Sequence, residues 1–312
     1  MAGAGLRIRE ISAEDYAQLI ELLRASFPRE LEVSGFDEDA IRRQLKLYGL
    51  LKAIQRFTRR PFALFFVGEV NGKVVAAISL NRERRIWYIG AVMVAPEHRR
   101  KGYGRAILTH ALGLIPSLGG RRAVLHVLED NIPAKRLYRS AGFAGFERVV
   151  HLVREPPEGA EVPLPAGYRL RSIGLFDRRA LAVSYGAMEP ASAEVYGEPE
   201  LPPWYVRPLA RLQPGVRERH AVVRGGEWVG LYTFAAPFRE KGAANVSIAL
   251  LPEYRGTGLE EALLSRALHR ARELGCPRLL TRADERNAPL LSACGDLGFT
   301  RLYVTEGMYR DL

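Results

Sequence analysis

The residues best suited to chemistry form one turn, Arg99-Arg100-Lys101-Gly102-Tyr103-Gly104. Three consecutive cations precede two glycines, which lack a Cβ and so let the backbone bend and a ligand approach closely. An apolar run from Ile89 to Val94 leads into the turn, and an apolar pattern of helical period follows it. That order predicts strand, loop, helix. Free N–H groups at a helix N-terminus, backed by the helix dipole, attract negative charge. Phosphate or pyrophosphate is the natural guest. Two other phosphate motifs fail on spacing. No Gly-x-x-x-x-Gly-Lys-Ser/Thr occurs, and Ala106-Ile107 follow where a Gly-x-Gly-x-x-Gly loop brings its third glycine.

Elements must hold this turn in place, and the chain order supplies them. Leu6–Ile11 alternates as a strand, and Ser12-Ala13-Glu14-Asp15 caps a helix reaching about Ser26. Asp37 opens a second helix to about Phe57. Phe62–Val70 and Lys73–Leu80 flank Asn71-Gly72 as a hairpin. A strand from about Arg85 to Val94 leads into the turn, whose helix spans about Gly104–Ile115. Ala123–Leu128 is a strand, Ile132–Ala141 a helix and Phe143–Val153 a strand.

At 312 residues the chain suggests two domains. Residues 1–156 hold 26 Lys and Arg against 16 Asp and Glu, whereas residues 157–312 hold 20 against 19. The basic excess therefore sits in the half that carries the turn. Without aromatic platforms beside it, this excess favours a polyanionic small ligand over nucleic acid. No apolar run is long enough for a bilayer, and no leader pattern opens the chain, so a cytoplasmic protein without a membrane partner is expected. Cys276 and Cys294 read as small buried residues of a reducing compartment, and no His has metal-ligand spacing, so no metal is expected.

Past a Pro-rich, acidic linker at 156–167 the pattern restarts. Pro252-Glu253-Tyr254-Arg255 echoes Pro96-Glu97-His98-Arg99, Asn287 echoes Asn131, and Gly298-Phe299 echoes Gly142-Phe143. Each pair lies 156 positions apart, the mark of a duplication.

On these motifs the chain resembles the GNAT superfamily of N-acetyltransferases, present twice. The family's Arg/Gln-x-x-Gly-x-Gly/Ala loop matches Arg99, Gly102 and Gly104. Its later segment matches Asn131, Ala134, Leu137, Tyr138, Gly142 and Phe143. The resemblance implies an α/β (α+β, three-layer) fold of two tandem domains, each a mixed, mostly antiparallel twisted sheet flanked by helices. The domains would be 1–155, catalytic and acetyl-CoA binding, and 168–312, degenerate. It implies acetyl-CoA as co-substrate, with its pyrophosphate on the N–H groups of Arg100, Lys101, Gly102, Tyr103, Gly104 and Arg105. Val92-Met93-Val94 would pair with the pantetheine arm, Met93 being taken as the residue whose N–H meets the thioester carbonyl. Asn131 and Ala134 would line the cofactor's far side, and Tyr138 would give the leaving thiolate its proton.

In the second copy Glu260 stands where Gly104 stands in the first, and Cys294 where Tyr138 stands. The expected reaction is transfer of acetyl from acetyl-CoA to a primary amine of a small molecule or peptide, by direct attack in a ternary complex. A non-catalytic acyl-CoA sensor or scaffold is the alternative. Glu83 and Glu129 are the visible candidates for a general base, though each also reads as a surface carboxylate. The segments 27–60 and 184–212, with Arg59, Arg60, Trp204 and Tyr205, are expected to wall the acceptor pocket. The chain would be a monomer with pseudo-dimeric domains, or a homodimer.

Overall fold

The computed structural model describes residues 5–28, 31, 41–42, 45, 48–49, 52, 55, 61–83, 86–201, 215–237 and 242–312. Arg59, Arg60, Trp204, Tyr205 and most of the second expected helix lie outside them. The first repeat runs β1 (Arg7–Glu10), α1 (Tyr16–Ser26), β2 (Ala63–Val70), β3 (Lys73–Glu83), β4 (Ile86–Val94), α2 (Tyr103–Leu114), β5 (Arg122–Leu128), α3 (Ile132–Ser140) and β6 (Ala144–Arg154). The second runs β7 (Tyr168–Ser172), α4 (Arg178–Gly186), α5 (Pro190–Tyr196), β8 (Val216–Arg224), β9 (Glu227–Ala236), β10 (Ala244–Leu250), α6 (Leu259–Glu273), β11 (Leu279–Asp284), α7 (Ala288–Asp296) and β12 (Thr300–Asp311). The sheets are mixed and mostly antiparallel.

Contacts divide the chain elsewhere than the repeat does. Unit 1 is Met1–Gly145 with Gly307–Leu312, and unit 2 is Phe146–Glu306. Both boundaries fall inside strands, β6 and β12. In unit 1 the end of β12 lies beside β5, with the Leu312 N–H donating to Arg121 O at 2.9 Å. There Met308 is fully buried and Arg310 donates to the Ala141 carbonyl beside Gly142. In unit 2, β6 pairs antiparallel with β11, and the Arg154 side chain lies over Gly298 as Arg310 lies over Gly142. Residues 156–167 have no helix or strand. They lie along α6, with the Val162 N–H donating to Ser265 Oγ at 2.7 Å.

Unit 1 has a core on each face of its sheet. On one face α2 and α3 cover Ile78, Leu80, Trp87, Ile89, Leu125 and Val127. The spacing of Tyr103, Ile107, Leu108, Ala111 and Leu112 gives α2 one apolar stripe, and all five are buried. On the other face α1 brings Leu19, Ile20 and Leu22 onto Val67, Ala77 and Met93. Full burial of each such aliphatic side chain contributes about 1.5–3 kcal/mol.

One ionic knot fixes the start of α1. Asp15 is only 3% exposed. It takes Arg9 at 2.6 and 2.8 Å and the Ser12 N–H at 2.8 Å, while Arg9 Nε reaches Glu69 at 3.0 Å. The Arg9 hydrogen bond is the main reason that the Asp15 carboxyl titrates at about 2, against the opposing effect of burial. A depressed carboxyl contributes stability above its unfolded pKa and loses it as pH falls through the folded one. Arg9→Met should therefore cost about 2 kcal/mol at pH 7. Urea unfolding of variant and wild type should converge as pH drops from about 4 toward 2.

Candidate active site

The site in unit 1 begins where two parallel strands part. β4 and β5 pair only at Trp87↔Ala123 and Tyr88↔Val124, yet β4 continues to Val94 and β5 to Leu128. The gap leaves one edge of β4 without a neighbour. Which N–H groups face it follows from the ladder with β3. The Ala95 N–H donates to Val75 O at 2.9 Å, and Met93 lies opposite Ala77. Successive N–H groups alternate between edges, so Met93 directs its N–H toward β3. Val92 and Val94 direct theirs into the gap. The expectation that Met93 supplies the free N–H is corrected by this alternation.

A bulge sets that phase. The register shifts between Ile78 and Leu80, so that Ser79 faces both Gly90 and Ala91. The Ala91 N–H donates to Ser79 Oγ at 3.1 Å, and Ser79 is 5% exposed. A Cβ on Gly90 would lie 2.3 Å from that oxygen, so only glycine fits. Ser79 and Gly90 were not singled out from the sequence; a glycine inside a strand pattern was the available signal.

The basic turn follows. Arg100 has φ +61° and Gly102 φ +83°, so successive N–H groups curl toward one point. Among the described residues, none of the N–H groups from Arg100 to Arg105 has a backbone acceptor; the first is Ala106, which donates to Gly102 O at 3.0 Å. Arg99, Arg100, Lys101 and Arg105 are exposed. Arg99 Nε donates to Val94 O at 3.1 Å, and Arg105 reaches Ser140 Oγ at 3.2 Å. The Tyr103 ring is buried and stacks on His98. Gly104 lies in the first turn of α2, where a Cβ would come into contact with Leu137 at 3.4 Å and Val94 at 3.5 Å. The turn thus combines cationic side chains with N–H donors that have no backbone acceptor among the described residues.

Tyr138 projects from α3 into the α2-side core, 6% exposed, edge-on to Phe143 with ring centroids 6.0 Å apart. Its hydroxyl has no hydrogen-bond partner among the described residues. Burial, and then the nearby Tyr88, push its pKa well above the ordinary phenol range, so it holds its proton at neutral pH. Asn131 caps α3, its Oδ1 accepting the Ala134 N–H at 3.2 Å. Asn287 caps α7 in the same way at 3.3 Å, so the shared asparagine shapes a helix start in both repeats. Glu129 is exposed; Glu83 ends β3.

Unit 2 repeats the frame, with one of its donors taken from within the chain. Gly258 has the same φ and ψ as Gly102, and Gly256 matches Arg100 at φ +69°. Glu260, 3% exposed, accepts the Gly256 N–H at 2.9 Å, so a carboxylate of the chain stands at this turn. Arg255, the counterpart of Arg99, is held by Glu189 at 2.6 Å and Ala187 O at 2.8 Å. β10 pairs with β9 without a bulge, one residue shorter than β4 over the same span. Thr281 Oγ1 donates to Val246 O at 3.1 Å where β10 and β11 part. Cys294 is fully buried, its thiol pushed up to about 12 by burial. Among the described residues no group of His, Cys, Asp and Glu could hold a metal, and no helix is long and apolar enough to cross a membrane.

Comparison with known proteins agrees with this architecture. The family model described as Acetyltransferase (GNAT) family matches residues 16–143 and 186–299. A mycothiol acetyltransferase of Thermobispora bispora is 30% identical over 240 residues, covering 71% of this chain and 75% of that protein. The Thermomonospora curvata protein of the same name is 29% identical over 238 residues, covering 71% and 73%. Among solved structures, a tandem GNAT protein from the clavulanic acid biosynthesis pathway shares the fold over 98% of both chains, with TM-score 0.67 and 18% identity. A GCN5-related N-acetyltransferase from Sphaerobacter thermophilus does so over 100% of this chain and 97% of that one, with TM-score 0.64 and 16% identity. Two family matches, one on each repeat, and relatives that span both repeats make this chain a tandem member of the GNAT acetyltransferase family.

Proposed function

We propose that the first repeat carries the turnover: it binds acetyl-CoA and passes the acetyl group to a primary amine, while the second repeat binds no acyl-CoA. The observation that carries this reading is the contrast between the cradles. Among the described residues the N–H groups from Arg100 to Arg105 have no backbone acceptor, whereas in the equivalent turn the Gly256 N–H donates to the Glu260 carboxylate at 2.9 Å. A second negative charge about 4 Å from Glu260 would be repelled by roughly 4 kcal/mol at an effective dielectric near 20.

The pyrophosphate would rest on the cradle, with Arg99, Arg100, Lys101 and Arg105 adding to the field. The pantetheine arm would complete the open edge of β4 through Val94, and the Val92 N–H would meet the oxygen on which charge develops. Met93 keeps a structural part, its N–H in the ladder and its side chain against α1. Asn131 and Ala134 would set the cofactor's far wall. Tyr138, protonated at neutral pH, would supply the leaving thiolate's proton. The acceptor is a small molecule or peptide, and relatives named for mycothiol acetylation put the mycothiol series first in an acceptor screen.

Calorimetry with acetyl-CoA should give one binding event per chain. Gly104→Glu, which places the second repeat's carboxylate in the first cradle, should abolish it, and Glu260→Gln should leave it intact. Two events, or binding that survives Gly104→Glu, would sink the assignment. Tyr138→Phe should bind acetyl-CoA normally and lower kcat by about 10²-fold with KM unchanged; thiol release in the acceptor screen measures it.

A further inference from the structure

The gap between β4 and β5 has two faces, and different chemistry stands on each. Trp87 and Ile89 pack in the α2-side core, so Tyr88 between them points to the α1 face. Leu125 and Val127 pack in that same core, so His126 points to the α1 face as well. There Tyr88 Oη and His126 Nδ1 lie 3.2 Å apart, with ring centroids 5.8 Å apart. The two residues stand beside the last paired position of the strands, at the apex of the gap. Tyr138 lies in the core on the other face of the sheet, so its phenol and the Tyr88–His126 pair stand on opposite faces.

The duplicated chain supplies its own control. Asn245 holds the register position of Tyr88, since it pairs with Leu280 as Tyr88 pairs with Val124. Arg282 stands 156 positions after His126, and Cys294 the same distance after Tyr138. Features that shape the frame persist in both repeats: the Asn131 and Asn287 caps, the Gly102 and Gly258 turns, the Gly142 and Gly298 helix stops. Tyr88 and His126 are lost together with Tyr138, Gly104 and the bulge. Residues that vanish with the site, while the frame stays, belong to the site.

We infer that Tyr88 and His126 form the proton relay that deprotonates the attacking amine, with the acceptor entering from the α1 face. This rests on the reading that the first repeat carries the turnover. Before attack, one proton of the bound ammonium passes to the Tyr88 oxygen while the Tyr88 proton passes to His126 Nδ1, and solvent takes it from the imidazolium. The neutral amine then forms the N–C bond as the C–S bond breaks, and the thiolate takes its proton from Tyr138. The attacking nitrogen gives its surplus proton to solvent, and solvent restores the one on Tyr138. Base and acid on opposite faces of the gap keep nucleophile and leaving group from competing for one group. Tyr88 is the catalytic residue of the pair, and His126 acts through it.

The test compares wild type, Tyr88→Phe, His126→Asn and the double variant, using two amine probes with acetyl-CoA. Methylamine is protonated at neutral pH and needs a base; hydroxylamine is already neutral and does not. Each variant should lower thiol release with methylamine by about 10²-fold, the double variant no further, because the two act as one unit. Hydroxylamine turnover and acetyl-CoA binding by calorimetry should hold within about threefold of wild type, a factor worth less than 1 kcal/mol. Equal methylamine rates in all four proteins, or parallel loss of both probes, would overturn the relay. A wild type that binds acetyl-CoA but releases thiol with neither probe would overturn the first-repeat reading instead. Independently of any acceptor, the ¹⁵N shift of His126 Nδ1 should move on Tyr88→Phe, and an unmoved resonance would remove the bond on which the relay depends.

Discussion

A single extra residue in one strand governs the site. At Gly90 the bulge in β4 gives Ser79 two partners and reverses the phase of the strand beyond it. Before the bulge Trp87 and Ile89 enter the α2-side core; after it Ala91 and Met93 enter the α1-side core. The same reversal decides that Val92 and Val94, and not Met93, turn their N–H groups to the open edge. A bulge is costly unless its loose groups are satisfied, and the Ser79 hydroxyl takes the Ala91 N–H at 3.1 Å. Without the inserted residue β10 runs straight, and its repeat has no counterpart to the Tyr88–His126 pair.

The two repeats hold one turn geometry with different partners. The turn geometry at Gly258 matches that at Gly102 to the degree. A helix N-terminus needs its N–H groups satisfied by something. In one repeat the donors have no backbone acceptor among the described residues; in the other Glu260 accepts the one from Gly256, and Glu189 holds Arg255. Retaining the turn while replacing its guest preserves the strand-to-helix junction on which Leu259, Leu263 and Leu264 pack.

Much of this was legible in the residues. The hairpin at Asn71-Gly72, the strand-loop-helix around Gly102, the constant offset of 156 and the lesions Glu260 and Cys294 all rest on local chemistry or spacing. The phase of β4 was not legible, because an apolar run on a strand buried on both faces carries no alternation to reveal a bulge. Nothing local marks His126, since its partner Tyr88 is 38 positions away and only the sheet brings them together. The unit boundaries were hidden for a similar reason: which strand a terminal segment joins is a long-range choice.

That choice explains why a repeat without an open cradle still matters to one that has it. Unit 1 includes Gly307–Leu312, the end of the second repeat. Met308 is fully buried in the core that holds Tyr138 and Phe143, and Arg310 supplies a donor to the Ala141 carbonyl at the end of α3. Unit 2 in turn includes Phe146–Arg154 of the first repeat, with Val150 and Leu152 in its core. A first repeat cut after its own last strand would lack Met308 from its core and leave the helix that presents Tyr138 without a partner for its final carbonyl. Truncation to small side chains in such cores costs about 2–5 kcal/mol per residue, a large part of the stability of a single domain. The surroundings of Tyr138 therefore depend on β12, a strand of the second repeat, whatever that repeat binds.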